Sequence, residues 1–402
     1  MKGPDAMPPT DRFPRPLGRP PATSRRRFLG GGAAAAAALA LGPAALAGCG
    51  TRQDNPGGAS TEIPDDGAPA TGTLRVSNWP MYMPDDFVAA FEQTTGLRVD
   101  YREDFNDNEE WFAKVKAPLA RHQDIGADLV VPTEFMALRL RALGWINQIN
   151  DARVPNLANL RPDLLNAPAD PGRRYIAPYL NGMVGLAYNR AATKRDIRTM
   201  DDLWDPAFQG RVTMLSDMQD GVGMVMQAQG NSPAHPTSEA VTQAVDMIRE
   251  QKDRGQIRRF TGNDYLDDFA TGNVVIAQAY SGDVARLQAD EPDLRFVVPE
   301  SGGMWFTDTM VIPNTTANQK GAETWINYVY DRDNYAKLID FNPSVPVLSD
   351  MDEALRRINP ALATNPLINP DQQTRDRLVH WAELTDEQTQ EYNAAYAAVT
   401  AG

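Results

Sequence analysis

Leu74-Arg75-Val76-Ser77-Asn78-Trp79, then Pro84-Asp85-Asp86-Phe87-Val88-Ala89-Ala90-Phe91-Glu92 closed by Gly96, then Leu97-Arg98-Val99-Asp100-Tyr101, is the stretch that decides the fold. The first and third pieces alternate apolar and polar residues as strands do. The middle piece puts a proline and two acids in the first turn of a helix and a glycine just past its end. A β-α-β unit with so short a crossover implies parallel strands. The pattern then continues outward. A helix is expected over 109–120, an apolar strand over 128–132 and a helix over 134–143, followed by strands at 185–188, 211–215, 274–279 and 294–298. Strands alternating with helices predict an α/β fold with doubly wound sheets, in which ligands sit beyond the carboxyl ends of strands. A chain of 402 residues, 42% hydrophobic, has length enough for two lobes.

Aromatic and acidic residues recur at those strand exits. Trp79 and Tyr82 follow the first strand, Thr133 and Phe135 the 128–132 strand, Ser216 and Asp217 the 211–215 strand, and Tyr280 and Asp283 the 274–279 strand. The same chemistry is concentrated in Gly302-Gly303-Met304-Trp305-Phe306-Thr307-Asp308-Thr309-Met310-Val311-Ile312-Pro313, two rings and one carboxylate after a glycine pair. Rings attract cations, and a carboxylate adds a charge-assisted hydrogen bond, so this stretch suggests a site for an organic cation. It reads equally as a core strand whose aspartate caps a turn. The 318–330 segment spaces Ala322, Trp325, Ile326 and Val329 as a core helix. A last helical region is expected over 371–399, carrying Trp381 and Glu383.

The first 48 residues read as a targeting segment. Arg25-Arg26-Arg27-Phe28-Leu29 precedes a Gly/Ala/Leu-rich stretch broken by Pro43, the pattern of a twin-arginine signal rather than of a permanent span. That stretch ends in Leu46-Ala47-Gly48-Cys49, where a lipoprotein signal places the cysteine to be acylated. Cys49 is the single cysteine, so no internal disulfide is possible. Residues 49–72 read as a flexible tether. Removing the seven basic and two acidic residues of 1–48 from totals of 39 and 53 leaves 32 against 51, a formal charge of -19. Such a surface disfavours nucleic acid and attracts cationic solutes.

Asn78-Trp79-Pro80-Met81-Tyr82, Thr95-Gly96, Asn108-Glu109, Asp128-Leu129-Val130-Val131-Pro132, Tyr175-Ile176-Ala177-Pro178-Tyr179, Asp202-Leu203-Trp204-Asp205-Pro206, Ser281-Gly282-Asp283 and Val298-Pro299-Glu300 stand in one order along the chain. Together with 305–313, this set resembles the spermidine/putrescine-binding proteins of ABC importers over residues 74–396. The resemblance implies two α/β lobes of the type II periplasmic-binding-protein kind, with a hinge and an interlobe cleft. One lobe is expected from 73–181 plus 308–350 and the other from 182–307 plus 351–402. It further implies a polyamine bound among Trp79, Tyr82, Thr133, Phe135, Asp217, Asp220, Tyr280, Asp283, Trp305, Phe306, Asp308 and Glu383, with Trp305 and Phe306 both able to supply the wall ring. It implies a monomer that works with a permease and an ATPase, held at the membrane through a lipid on Cys49, without cofactor, metal or catalysis.

Other classes have less behind them. The three histidines, His122, His235 and His380, form no metalloprotease helix, and no Gly-x-Ser-x-Gly elbow exists for a hydrolase. A ferric site would want clustered tyrosines with histidine or acid, and Tyr175 and Tyr179 are the nearest approach. A zwitterionic solute on the same scaffold would want an arginine, for which Arg75, Arg102, Arg139 and Arg286 are available.

Overall fold

In the computed structural model the described residues are 67–288 and 290–401. The twin-arginine segment, Cys49 and most of the tether lie outside them. Strand β1 (Thr73–Asn78) runs parallel between β2 (Arg98–Glu103) and β3 (Leu129–Val130), so the opening stretch forms the β-α-β unit its pattern predicts. Its helix, Asp85–Thr95, ends where Gly96 turns left-handed at φ 76 and returns its N–H to Glu92 at 2.9 Å. Buried Leu74 and Val76 hold β1 in one core. Arg75, on the other side of the strand, is tied to Asp128 and Asp124. β3 is shorter than its apolar run because Val130 exchanges both backbone hydrogen bonds with Val311 of the returning chain.

The second sheet has the order β10-β9-β4-β7-β5-β6, with β8 also on β4. Its strands are β4 (Ala177–Asn189), β5 (Val212–Leu215), β6 (Ile257–Thr261), β7 (Ile276–Tyr280), β8 (Leu294–Val297), β9 (Gly303–Met310) and β10 (Leu378–Val379). β5 lies parallel to β6 and β7, whereas β4 is antiparallel to β7, β8 and β9.

The fold is two-lobed, and β4 and β9 join the lobes as a pair. Ala177, Tyr179, Leu180 and Met310 pack in the core of the first sheet. Met183, Val184, Leu186 and Met304 pack in that of the second. Between them, Leu180 faces Asp308 and Gly182 faces Phe306 in register. The helix Gln319–Val329 buries Trp325 in the first core, edge-on to Phe87 and Phe91.

One expectation needs correcting. Residues 371–399 are not one helix. A turn at Gln372–Arg375 leads to β10, which pairs with β9, and after an irregular stretch the helix Asp386–Thr400 begins on a Thr385 capping box. Trp381 and Glu383 therefore lie in the irregular stretch, where they can face the cleft. Met351, Ala354, Leu355, Leu362 and Ile368 pack in the first core, and Leu367, Leu378, Tyr392 and Tyr396 in the second.

Candidate functional site

A cavity lies between the lobes where β4 and β9 cross, with about 500 Å³ of empty space, part of it open to solvent. Trp79, Tyr82, Asp107, Asn108, Thr133 and Asp308 come from the first-lobe side, and Ser216, Asp217, Asp220, Asn263, Tyr280 and Phe306 from the second. Four aspartates line it, and no Lys, Arg or His does.

Asp308 is 2% exposed and is held by two neutral donors: the Tyr82 hydroxyl reaches one carboxylate oxygen at 2.8 Å and the Thr133 hydroxyl the other, also at 2.8 Å. Thr133 stands at the start of the helix Glu134–Ala142 without capping it; its hydroxyl turns to Asp308 instead. Asn108 fixes Thr133 from behind, donating to its hydroxyl at 3.0 Å and accepting its backbone N–H at 3.1 Å. Burial pushes the Asp308 carboxyl up to about 6, against the lowering effect of the two hydroxyls.

Opposite, Asp217 caps the helix Met218–Ala228, accepting from Gln219 N–H at 2.9 Å, and Asp220 stands one turn on. The positive end of that helix favours the two acids there. The Tyr280 hydroxyl donates to Asp220 at 2.9 Å. Each acid is half-buried and lines the cavity, packed among the side chains of both lobes. Loss of hydration therefore raises both carboxyls, that of Asp220 to about 7, and their mutual repulsion adds to the rise at Asp217. Neither they nor Asp308 has an ion pair among the described residues, whereas Asp128, for example, sits on Arg75. The arrangement is a set of buried acids lacking a positive charge, and a cation entering the cavity would supply one.

Trp79 donates its indole N–H to Val131 O at 2.7 Å, which sets the ring as a wall 6.4 Å from that of Tyr82. Phe306 meets Tyr280 edge-on at 5.1 Å and packs the tip of its ring against Gly182, where a Cβ would strike it. The register of β9 places Phe306 and Asp308 on one face, so Phe306 is the ring of the inner cavity. Trp305 points away and stacks on His380, with ring centroids 6.4 Å apart.

Trp305, Phe135 and Glu383 line a second, wider chamber that adjoins the first at Thr133, Asp220 and Phe306. Asp283 lines neither chamber. It is buried behind Tyr280, accepting from the Tyr265 hydroxyl at 2.8 Å and Asn263 at 3.2 Å, with Arg286 at 3.6 Å. Eight of the twelve residues singled out from the sequence thus meet in the inner cavity, three lie in the outer chamber and Asp283 supports the wall. The sequence reading missed Asp107, Asn108 and Asn263 as lining residues. Asn108 was quoted only for its place in a motif, and nothing in local spacing marks a helix-start asparagine as facing a cleft.

The arginines available to a carboxylate ligand are engaged elsewhere. Arg75 pairs with Asp124 and Asp128, Arg102 with Asp100, Arg139 with Glu109 and Arg286 with Asp283. Tyr175 lies under Arg141, and Tyr179 donates to Tyr82 O at 2.9 Å. Among the described residues no cluster of His, Cys, Asp and Glu could hold a metal ion, and no helix is long and apolar enough to cross a membrane.

Residues 86–370 match a protein family described as bacterial extracellular solute-binding protein. The spermidine/putrescine-binding periplasmic protein 1 of Haemophilus influenzae is 26% identical over 330 residues, which span 82% of this chain and 89% of that protein. The spermidine/putrescine-binding periplasmic protein of Escherichia coli is 28% identical over 305 residues, 75% of this chain and 84% of its own length. Among solved structures, a lipoprotein of Treponema pallidum superposes with a TM-score of 0.71 at 22% identity, covering 82% of this chain and 100% of that one, and so shares the fold.

Proposed function

The chain belongs to the bacterial extracellular solute-binding protein family, and we propose that it captures a polyamine such as putrescine or spermidine in the cavity between its lobes. The observation that carries this reading is a cavity lined by four aspartates and four aromatic rings, with no basic side chain among its lining residues. A polyamine is a methylene chain with ammonium groups at intervals. Asp308 on one side and Asp217 with Asp220 on the other suit two such groups, and Trp79, Tyr280 and Phe306 suit the methylenes between. Tyr82 and Tyr280 keep their protons because burial beside aspartates raises their phenols, so they orient the carboxylates as donors. Binding is the whole of the chemistry, and no bond is made or broken.

On this reading the chain is exported by its twin-arginine segment and anchored through a lipid on Cys49. As a monomer it hands its ligand to a membrane permease driven by an ATPase. Calorimetric titration of the purified protein with putrescine, spermidine and spermine tests the binding. Saturable one-to-one heat that is lost in Asp220→Asn supports it, and a folded protein that gives no heat with any of the three overturns it.

A further inference from the structure

Beyond the inner cavity lies the outer chamber, with about 1960 Å³ of empty space, part of it open to solvent, against about 500 Å³ for the inner one. A methylene chain is one carbon wide and needs no such room. The outer chamber's cavity volume of about 710 Å³ falls within the range of about 300–1,000 Å³ for chambers that hold compact drug-sized ligands. The walls are bulky and apolar: Phe135 and Leu138 on the first lobe, Trp305, Trp381 and Leu384 on the second. The charges on its first-lobe wall are neutralised in place. Glu134 binds Arg173 at 2.6 Å, Arg139 binds Glu109 at 3.0 Å and Asp163 binds Arg161 at 2.6 Å. Asp220 and the exposed Glu383 have no ion pair among the described residues. One further polar atom is unspent. Thr307, 2% exposed and lining this chamber next to Phe306, has a buried hydroxyl with no hydrogen-bond partner. A buried hydroxyl in that condition is costly unless a ligand or a water meets it.

Resting on the polyamine reading, we infer that the two chambers together take a substituted polyamine. Its cationic diamine head would lie among Asp308, Asp217 and Asp220, and a bulky aromatic substituent on one nitrogen would fill the outer chamber between Phe135, Trp305 and Trp381. The substituted nitrogen sits at the junction, where Asp220 accepts one of its N–H groups. An unsubstituted polyamine occupies the head site only and leaves indole surface to water, forgoing the apolar burial that the outer walls offer.

The test compares putrescine, spermine and N-benzylputrescine, whose two nitrogens both remain cationic, by calorimetry on the purified protein and on Leu138→Trp, which narrows the outer chamber at its apolar wall. The expected result is N-benzylputrescine binding at least about tenfold tighter than putrescine, with that advantage gone in Leu138→Trp while putrescine affinity stays within about twofold. Trp305→Ala, which enlarges rather than narrows the chamber, is expected to weaken the benzyl ligand alone and guards against misfolding of the first variant. Putrescine binding well with N-benzylputrescine no tighter overturns the inference and leaves the polyamine reading standing. So does spermine outranking the benzyl ligand, which would assign the outer chamber to a longer chain reaching Glu383. Absence of binding by all three overturns both.

Discussion

Tyr82 and Asp308 stand 226 positions apart, and the phenol of one meets the carboxylate of the other at 2.8 Å across the floor of the cleft. With Thr133 on the second oxygen, the acid is oriented before any ligand arrives. Asp308→Asn keeps the shape and removes the charge. The loss of a charged hydrogen bond, about 1.5–3 kcal/mol, corresponds to roughly ten- to one-hundredfold in affinity for putrescine or spermidine. Calorimetry should show that drop, while the thermal midpoint of the free protein should move little, because losing a buried, unpaired acid is offset by an amide nitrogen that faces one of the two hydroxyl donors.

Acidity sets a second expectation. The Asp220 carboxyl lies at about 7 in the folded protein against 3.8 as a reference, and that of Asp308 at about 6. A group that holds its proton more tightly when folded makes the fold lose stability as pH rises from its unfolded value through its folded one. From these two acids, the ligand-free protein should lose stability between about pH 4 and 7. A cation needs them ionised, so affinity should rise over pH 5 to 7.5 and binding should release protons. Titrations in buffers of differing ionisation enthalpy measure that release. Asp220→Asn should diminish it and flatten the upper part of the stability profile; a release unchanged in that variant counts against Asp220 as a ligand group.

Asn108 touches no ligand in this scheme except through its edge of the cavity, yet it makes two hydrogen bonds to Thr133. Asn108→Ala strands a buried N–H and frees the hydroxyl that orients Asp308. Destabilisation of about 1–3 kcal/mol is expected in urea unfolding. A several-fold loss of affinity should accompany it, smaller than that of Asp308→Asn.

At the edge of the cleft, Asn393 in the C-terminal helix donates to Glu109 at 2.9 Å, a contact between lobes. Glu109 is already held by Arg139. Asn393→Ala should weaken polyamine affinity by about 0.5–1.5 kcal/mol through faster dissociation, with Asp308 and its partners untouched. Stopped-flow displacement separates that from a change in association rate.

Much of this arrangement was legible in the sequence, for reasons that can be named. Phe87 and Phe91, one helical turn apart, and the alternation around Leu74 and Val76 carry the periods of helix and strand, so the first β-α-β unit could be read directly. β4 was read only over 185–188 because Pro178, Asn181 and Gly182 interrupt its apolar run, and the last two are where it leaves one lobe for the other. The Leu378–Val379 strand is too short to have a period at all. Phe306 and Asp308 could be paired by their spacing of two. Which neighbouring ring faced the cleft depended on register against Gly182, a partner more than a hundred residues away. Asp283 misled because a carboxylate just after a strand is equally suited to bracing Tyr265 from behind.

The pairing of β4 with β9 also bears on mechanics. Asp308 sits on the very strands that tie the two lobes, as an acid mounted on an axle, whereas Asp217 and Asp220 ride on a helix carried wholly by one arm. A ligand with a positive charge at each end then acts as a strut between axle and arm, and its length sets the angle at which the arm comes to rest. Diamines of three, four and five methylenes should therefore hold the protein at measurably different openings, so that a membrane partner sensitive to that angle would be reading chain length as geometry.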